Sequence, residues 1–200
     1  MPELAPSDLS DTPESWPVVT SEDLHRDGWV LALRADRIRR PGGGEEAPFR
    51  RLVLEHPGAA VVLALDEDDR ALVVRQYRHP VLRRFVELPA GLVDQPGEDP
   101  LEVAQRELVE EAGFEAATWT RLGATYSSPG ISAELIHLFL ARDLRPADRD
   151  GFVLEHEEAD MQVLWMRFDD LMAGVLEGRI ADAPVVSAVL LAHAKGLVGG

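Results

Sequence analysis

Between Glu87 and Phe114 the chain reads ELPAGLVDQPGEDPLEVAQRELVEEAGF, which places Glu98, Glu107, Glu110 and Glu111 close together. Carboxylates crowded in this way repel one another unless cations sit among them. Hard oxygen donors select Mg²⁺ or Mn²⁺ over softer metals, so divalent-metal chemistry is the first expectation. The competing reading is a solvated acidic helix face with no ligand. An unrelieved acidic cluster at i,i+3 and i,i+4 costs helix stability, and it follows closely on the conformationally special run Leu88-Pro89-Ala90-Gly91. Both features weigh against that bland alternative.

The element that must position these side chains is a helix. Asp99 suits the N-cap, Pro100 the first helical position, Glu102 a capping box, and Gly113 the C-terminal stop. Leu101, Ala104, Leu108 and Ala112 form one core-facing stripe. At about 100° per residue, Glu107 and Glu111 lie about 40° apart on the wheel, with Glu110 about 60° to the other side of Glu107. The three share a sector flanking the buried stripe, with Arg106 at its edge, where a salt bridge could orient them.

Around the helix, short apolar runs punctuated by Gly, Pro and Asp predict strands at Trp29–Arg37, Phe49–Glu55, Ala59–Leu65 and Ala71–Gln76, with Asp66–Arg70 as a hairpin turn. Further strands are expected at Trp119–Tyr126, Leu135–Ala141 and Met161–Phe168, with a polar loop from Asp143 to about Asp160. Helices are expected at Asp169–Glu177 and Ala183–Gly196. Strands on both sides of the carboxylate helix predict a small α/β sandwich. Residues 1–16 are expected to form a loose tail, 17–56 an N-terminal β segment, and 57–200 the main domain.

Composition bounds the function. With 46% hydrophobic residues the 200-residue chain can fill a core without staples. It has no cysteine, which excludes thiol nucleophiles, zinc–thiolate sites and disulfides and suits a reducing cytoplasm. A net charge of −16 argues against nucleic-acid or anionic-membrane partners, which need dense cationic patches. A phosphorylated small molecule remains compatible. Lys195 is the only lysine, so arginine, which holds phosphate bidentately, carries nearly all the positive charge; GC-rich coding would give the same bias. The acidic, Pro/Ser-containing start is not expected to be a signal peptide, and no apolar run approaches the ~20 residues of a membrane span.

The segment resembles the Nudix box: Gly, five residues, Glu, seven residues, then Arg-Glu-aliphatic-x-Glu-Glu-x-Gly-aliphatic. Glu98, Arg106, Glu107, Leu108, Glu110, Glu111, Gly113 and Phe114 match in register. One departure stands out, since six residues separate Gly91 from Glu98. A wider turn around Pro96-Gly97 is expected to absorb the extra one. Pro129, 15 residues beyond Phe114, resembles the mark of the ADP-ribose pyrophosphatase branch. So do Gln76-Tyr77-Arg78 with Glu87-Leu88-Pro89-Ala90-Gly91, and the acidic stretch Leu154–Asp160.

The resemblance implies a Nudix-type α/β/α sandwich with a mixed sheet, plus the N-terminal β segment. It implies metal-dependent hydrolysis of ADP-ribose to AMP and ribose 5-phosphate, with Mg²⁺ or Mn²⁺ as cofactor. Another nucleoside diphosphate sugar, a dinucleotide such as NADH, and a non-catalytic ADP-ribose sensor are the alternatives. Glu107 and Glu111 are the implied metal ligands, with Glu110, the Ala90 carbonyl and Glu98 beside them. The residue assisting the attacking water is sought among Glu157, Glu158 and Glu134, with Glu110 also a catalytic candidate. Arg78 is the candidate diphosphate contact, and Trp29, Phe49 and Tyr77 are the flat partners available to adenine. Pro129 would shape the loop at the substrate. Such enzymes are commonly homodimers, a role for which segment 17–56 is long enough.

Overall fold

The computed structural model describes residues 5, 7, 9–44, 46–149 and 160–199. The chain forms two compact units, Met1–Glu55 and His56–Gly200.

The first unit is an antiparallel meander of β1 (Val18–Arg26), β2 (Ala32–Ile38) and β3 (Phe49–Glu55). β1 carries no alternating pattern and its residues are all exposed; it lies within the expected 17–56 β segment, where the sequence marks no strand at these residues. The expected start of β2 at Trp29 moves to Ala32, because the Asp27 carboxylate accepts the Trp29 N–H at 2.8 Å and bends the chain there. Arg34 joins Asp36 and Glu55 across β2 and β3, and Arg26 of β1 donates to Glu55 at 2.6 Å.

The second unit is built on β4 (Ala59–Leu65), all of whose residues are buried. Its alternation divides two cores. Val61, Leu63 and Leu65 meet Leu171 of α2 (Phe168–Leu176) and Val185, Ala188, Val189 and Ala192 of α3 (Ala183–Ala194). Ala60, Val62 and Ala64 meet Val103, Ala104, Leu108 and Ala112 of α1 (Pro100–Ala112). A strand buried on both faces has helices on both sides, which makes this an α/β/α sandwich. The two alanines of β4 on the α1 side leave room for close approach of that helix.

The sheet runs β10-β5-β4-β9-β8, with β5 (Arg70–Arg78), β8 (Phe114–Tyr126), β9 (Leu135–Pro146) and β10 (Gln162–Arg167). It is mixed, because β4 and β9 are parallel and the other pairings antiparallel. β4 and β5 pair only near their hairpin, at Ala64–Leu72 and Leu65–Ala71, and then part. Two short strands absent from the sequence reading fill the fork: β6 (Arg83–Glu87) on β5 and β7 (Ala90–Leu92) on β4. The crossing at Leu88-Pro89 is pinned where Val62 N–H donates to the Pro89 carbonyl at 2.9 Å.

β8 and β9 extend beyond the expected limits, with Phe114 opposite Pro146. Of the residues read as loop, Asp143 to Pro146 continue β9 instead. Much of that stretch is exposed, and Asp143 interrupts the regular strand with φ 57°, its carboxylate accepting the Thr118 hydroxyl. Among the described residues no helix is long and apolar enough to cross a membrane.

Candidate functional site

α1 starts and stops at the signals its sequence carries. Asp99 caps it by accepting the Leu101 N–H at 2.9 Å, Pro100 occupies the first position, and Gly113 adopts φ 71° at the end. The extra residue before Glu98 is absorbed in a tight turn rather than a wider one. Glu98 N–H donates to the Gln95 carbonyl at 3.2 Å, with Pro96 and Gly97 at the two corners. Gly97 takes φ 82°, the geometry glycine adopts without strain, so the added residue leaves the helix register untouched.

The carboxylates gather around Arg106. Its guanidinium lies 3.1 Å from Glu107, 3.5 Å from Glu98 and 3.7 Å from Glu110, which relieves the repulsion expected from the sequence. Glu111 faces inward and is only 6% exposed. Its Oε2 accepts the Ala90 N–H at 3.0 Å, so the contact with β7 shown here is through the amide of Ala90. Glu107 lies against Gly91, where an added Cβ would overlap its Oε1, Cδ and Cγ. Among the described residues no three carboxylates or histidines already converge as a cation cage.

The donor set nevertheless fits a hard divalent cation. Glu98 Oε2 is buried with no hydrogen-bond partner, although a carboxylate oxygen out of water needs one. The other donors are carboxylate oxygens of the kind Mg²⁺ and Mn²⁺ prefer. β7 approaches α1 at a glycine, and the Glu107 side chain takes the space that a Cβ there would fill.

Arg78, at the end of β5, is joined to Glu87 of β6 through Nε at 2.9 Å and Nη2 at 2.6 Å. Gln76 Nε2 donates to the same carboxylate at 2.9 Å. The hydrogen bonds that Arg78 donates to Glu87 hold its guanidinium above its ordinary basicity, and the charges of Glu87, Asp182 and Glu111 add to the effect. Arg78 is thus within electrostatic reach of the carboxylate helix. Tyr77 places its hydroxyl 3.2 Å from His79 Nδ1. Glu134 pairs with His56 at 3.4 Å, and His56 Nδ1 accepts the Gly58 N–H, which leaves Nε2 to carry the proton toward Glu134. Pro129 lies in an exposed turn in which the Ser128 carbonyl accepts the Ile131 and Ser132 N–H groups.

In the first unit Trp29 is 65% exposed, while Phe49 packs edge-on against Trp16 and lies under the Arg51 guanidinium at 4.4 Å. Glu157 and Glu158 lie outside the described residues. Asp160 just beyond them pairs with Arg84.

Glu87 and Asp182 were missed as candidates. In the sequence Glu87 stands out only as part of a motif, and Asp182 precedes α3 with no motif to mark it. Asp182 accepts the Val185 N–H at 3.0 Å, and burial pushes its carboxyl up to about 6. The Val185 hydrogen bond and Arg78 oppose that shift, whereas Glu87 and Glu134 reinforce it. A carboxyl raised in the folded state favours folding when protonated. That contribution is complete below the unfolded value near 3.8 and is lost as pH rises through about 6. Asn caps a helix as well as Asp does. Asp182→Asn is therefore expected to be more stable than the parent at pH 8, by up to roughly 3 kcal/mol from the two-unit gap. The two should converge near pH 4. Denaturant unfolding at both values checks this, and an equal difference at both would refute it.

Comparison with known proteins agrees with this geometry. The family model described as NUDIX domain matches residues 54–189, which spans α1 and its glutamates. The chain belongs to the Nudix family. This Nudix protein is 42% identical over 176 residues to an ADP-ribose pyrophosphatase of Mycobacterium tuberculosis, covering 88% of this chain and 82% of the relative. It is 31% identical over 159 residues to a GDP-mannose pyrophosphatase of Cronobacter sakazakii, covering 75% of this chain and 80% of the relative. The crystal structure of an ADP compounds hydrolase superimposes with a TM-score of 0.73 at 23% identity, covering 94% of this chain and 98% of that one. That likeness speaks to the fold, and it agrees with the mixed sheet between two helical layers.

Proposed function

We propose that this Nudix protein hydrolyses the pyrophosphate bond of ADP-ribose, giving AMP and ribose 5-phosphate. The observation that carries the reading is the 42% identity, over 88% of the chain, to a protein named ADP-ribose pyrophosphatase. All the acidic positions of the box are present beside it. A sensor that binds without cleaving would have no need of Glu107, Glu110 and Glu111 together.

In this reading Glu107 and Glu111 hold Mg²⁺ or Mn²⁺, with Glu110, Glu98 and the Ala90 carbonyl as further donors. The metal, when bound, neutralises the diphosphate and makes water a competent nucleophile near neutral pH. Arg106 keeps the carboxylates apart and oriented. Arg78 offers its guanidinium to the diphosphate, and Tyr77, Trp29 or Phe49 supplies the flat face for adenine. A glutamate among Glu157, Glu158 and Glu134 accepts the proton of the attacking water, as general-base catalysis requires. Separate replacement of the three by glutamine identifies it as the one whose loss collapses kcat. Pro129 sets the course of the neighbouring turn.

The same reading makes the protein a cytoplasmic homodimer joined through segment 17–56, with 1–16 as a tail and 57–200 as the hydrolase domain. β1 is an exposed edge strand of its sheet, and an edge strand can offer backbone groups to a second copy.

A second reading takes a different nucleoside diphosphate sugar, and the likeness to a GDP-mannose pyrophosphatase favours it. One experiment separates the two. The protein is incubated with ADP-ribose, GDP-mannose and NADH, with Mg²⁺, with Mn²⁺ and with chelator, and the products are identified. AMP from ADP-ribose in either metal and none with chelator is expected. Turnover of GDP-mannose alone would replace the first reading with the second.

A further inference from the structure

We propose that Glu87 is a positioning residue for substrate, gripping the Arg78 guanidinium along one edge so that its other edge is presented to the diphosphate. This rests on the reading of Arg78 given above.

A guanidinium is a planar fork of five N–H donors. Glu87 occupies the Nε and Nη2 side of that fork, and a bidentate grip fixes the plane as well as the position of the charge. The pair is lopsided in exposure. The Glu87 residue is 7% exposed and the Arg78 side chain 51%, so the acid lies inside and the base outside. A buried carboxylate is costly unless its oxygens are satisfied. Here both are: Oε1 accepts from Arg78 Nε, and Oε2 from both Arg78 Nη2 and Gln76 Nε2.

Strand register explains how three residues reach one point. Glu87 stands opposite Val74, and Gln76 and Arg78 follow Val74 at alternate positions of β5, which project to the same face. A purely structural need at this position of the hairpin would be met by an apolar partner for Val74.

Glu87 also ties Arg78 to the carboxylate helix. The buried Leu88 and the pinned Pro89 follow it directly. Ala90 and Gly91 come next, the residues against which Glu111 and Glu107 lie. The grip therefore sets how far the cation on β5 stands from the anions on α1. A diphosphate between them needs that spacing held before it arrives, because ordering a free arginine at the moment of binding costs affinity.

The test is a double-mutant cycle on kcat and KM. It uses Glu87→Gln, Arg78→Ala and the pair, on whichever of the three substrates the parent hydrolyses, with thermal unfolding measured on each. Glu87→Gln is expected to raise KM about tenfold or more, with kcat kept within about threefold. Added to Arg78→Ala, it should raise KM no further, because the arginine it positions is gone. A structural role alone would instead lower stability and act equally in both backgrounds. Multiplying KM effects would overturn the inference while leaving the proposed function standing. A parent that hydrolyses none of the substrates would overturn both. If Glu87→Gln does not fold, Glu87→Asp, which keeps the charge but withdraws it by one methylene, takes its place with the same outcomes.

Discussion

Replacing Glu111 by glutamine is expected to cut kcat by roughly a thousandfold or more while leaving the unfolding transition close to that of the parent. The two halves of this expectation come from different atoms. Glu111 is buried beneath β7, and its Oε2 accepts the Ala90 N–H. Glutamine keeps a carbonyl oxygen able to accept that bond, so the link between α1 and β7 survives. What it loses is the negative charge, and a neutral amide holds a divalent cation far more weakly than a carboxylate. Circular dichroism and thermal melting check the fold, and steady-state kinetics check the rate. Near-parental turnover in a well-folded variant would remove Glu111 from the metal site. A variant that fails to fold would show instead that the charge itself secures β7.

The glutamate sector was legible because helix periodicity is a strong local signal. Asp99, Pro100 and Gly113 fixed the ends of α1, and once the ends were right the relative angles of Glu107, Glu110 and Glu111 followed. The wheel could not say which carboxylate is buried, since that depends on what packs above the helix. Glu111 turns inward because β7 brings the Ala90 N–H to it. Arg106 illustrates the same limit. Its place beside Glu110 could be read from the spacing, but its approach to Glu98 depends on the path of the turn at Pro96-Gly97. Glu87 and Asp182 escaped because their environments are assembled from β5, β6 and the start of α3, which are distant in sequence.

The fold was readable where burial is unambiguous and obscure where it is not. β4 is apolar throughout and its limits were found as they stand. β6 and β7 are short, and β7 includes a glycine, so no alternation announces either; they become strands because the fork between β4 and β5 leaves backbone groups to be paired. β1 failed for the opposite reason. With every residue exposed, it has no buried face to leave a pattern in the sequence.

The fork also makes Gly91→Ala a sharp test of the site. Gly91 pairs with Ala60 of β4 in an extended conformation open to any L-residue, so the backbone itself would accept alanine. The obstacle is steric, because the new methyl would occupy the space held by the Glu107 carboxylate and Cγ. α1 cannot retreat to make room, because Val103, Ala104 and Leu108, on the sheet-facing side that Glu107 borders, are fully buried against β4. The side chain of Glu107 must swing away instead, which a flexible glutamate can do at modest cost in stability. Displacing a reacting or ligand group by about an ångström can cost roughly a hundredfold in rate, and at least that loss in kcat is expected for Gly91→Ala. Adding Glu107→Ala should then restore whatever stability Gly91→Ala lost, because the clash is gone, without restoring turnover. If Gly91→Ala keeps parental turnover, the Glu107 carboxylate does not work from beside Gly91. If stability stays low in the double variant, the close approach of β7 to α1 depends on the glycine for some reason other than that side chain.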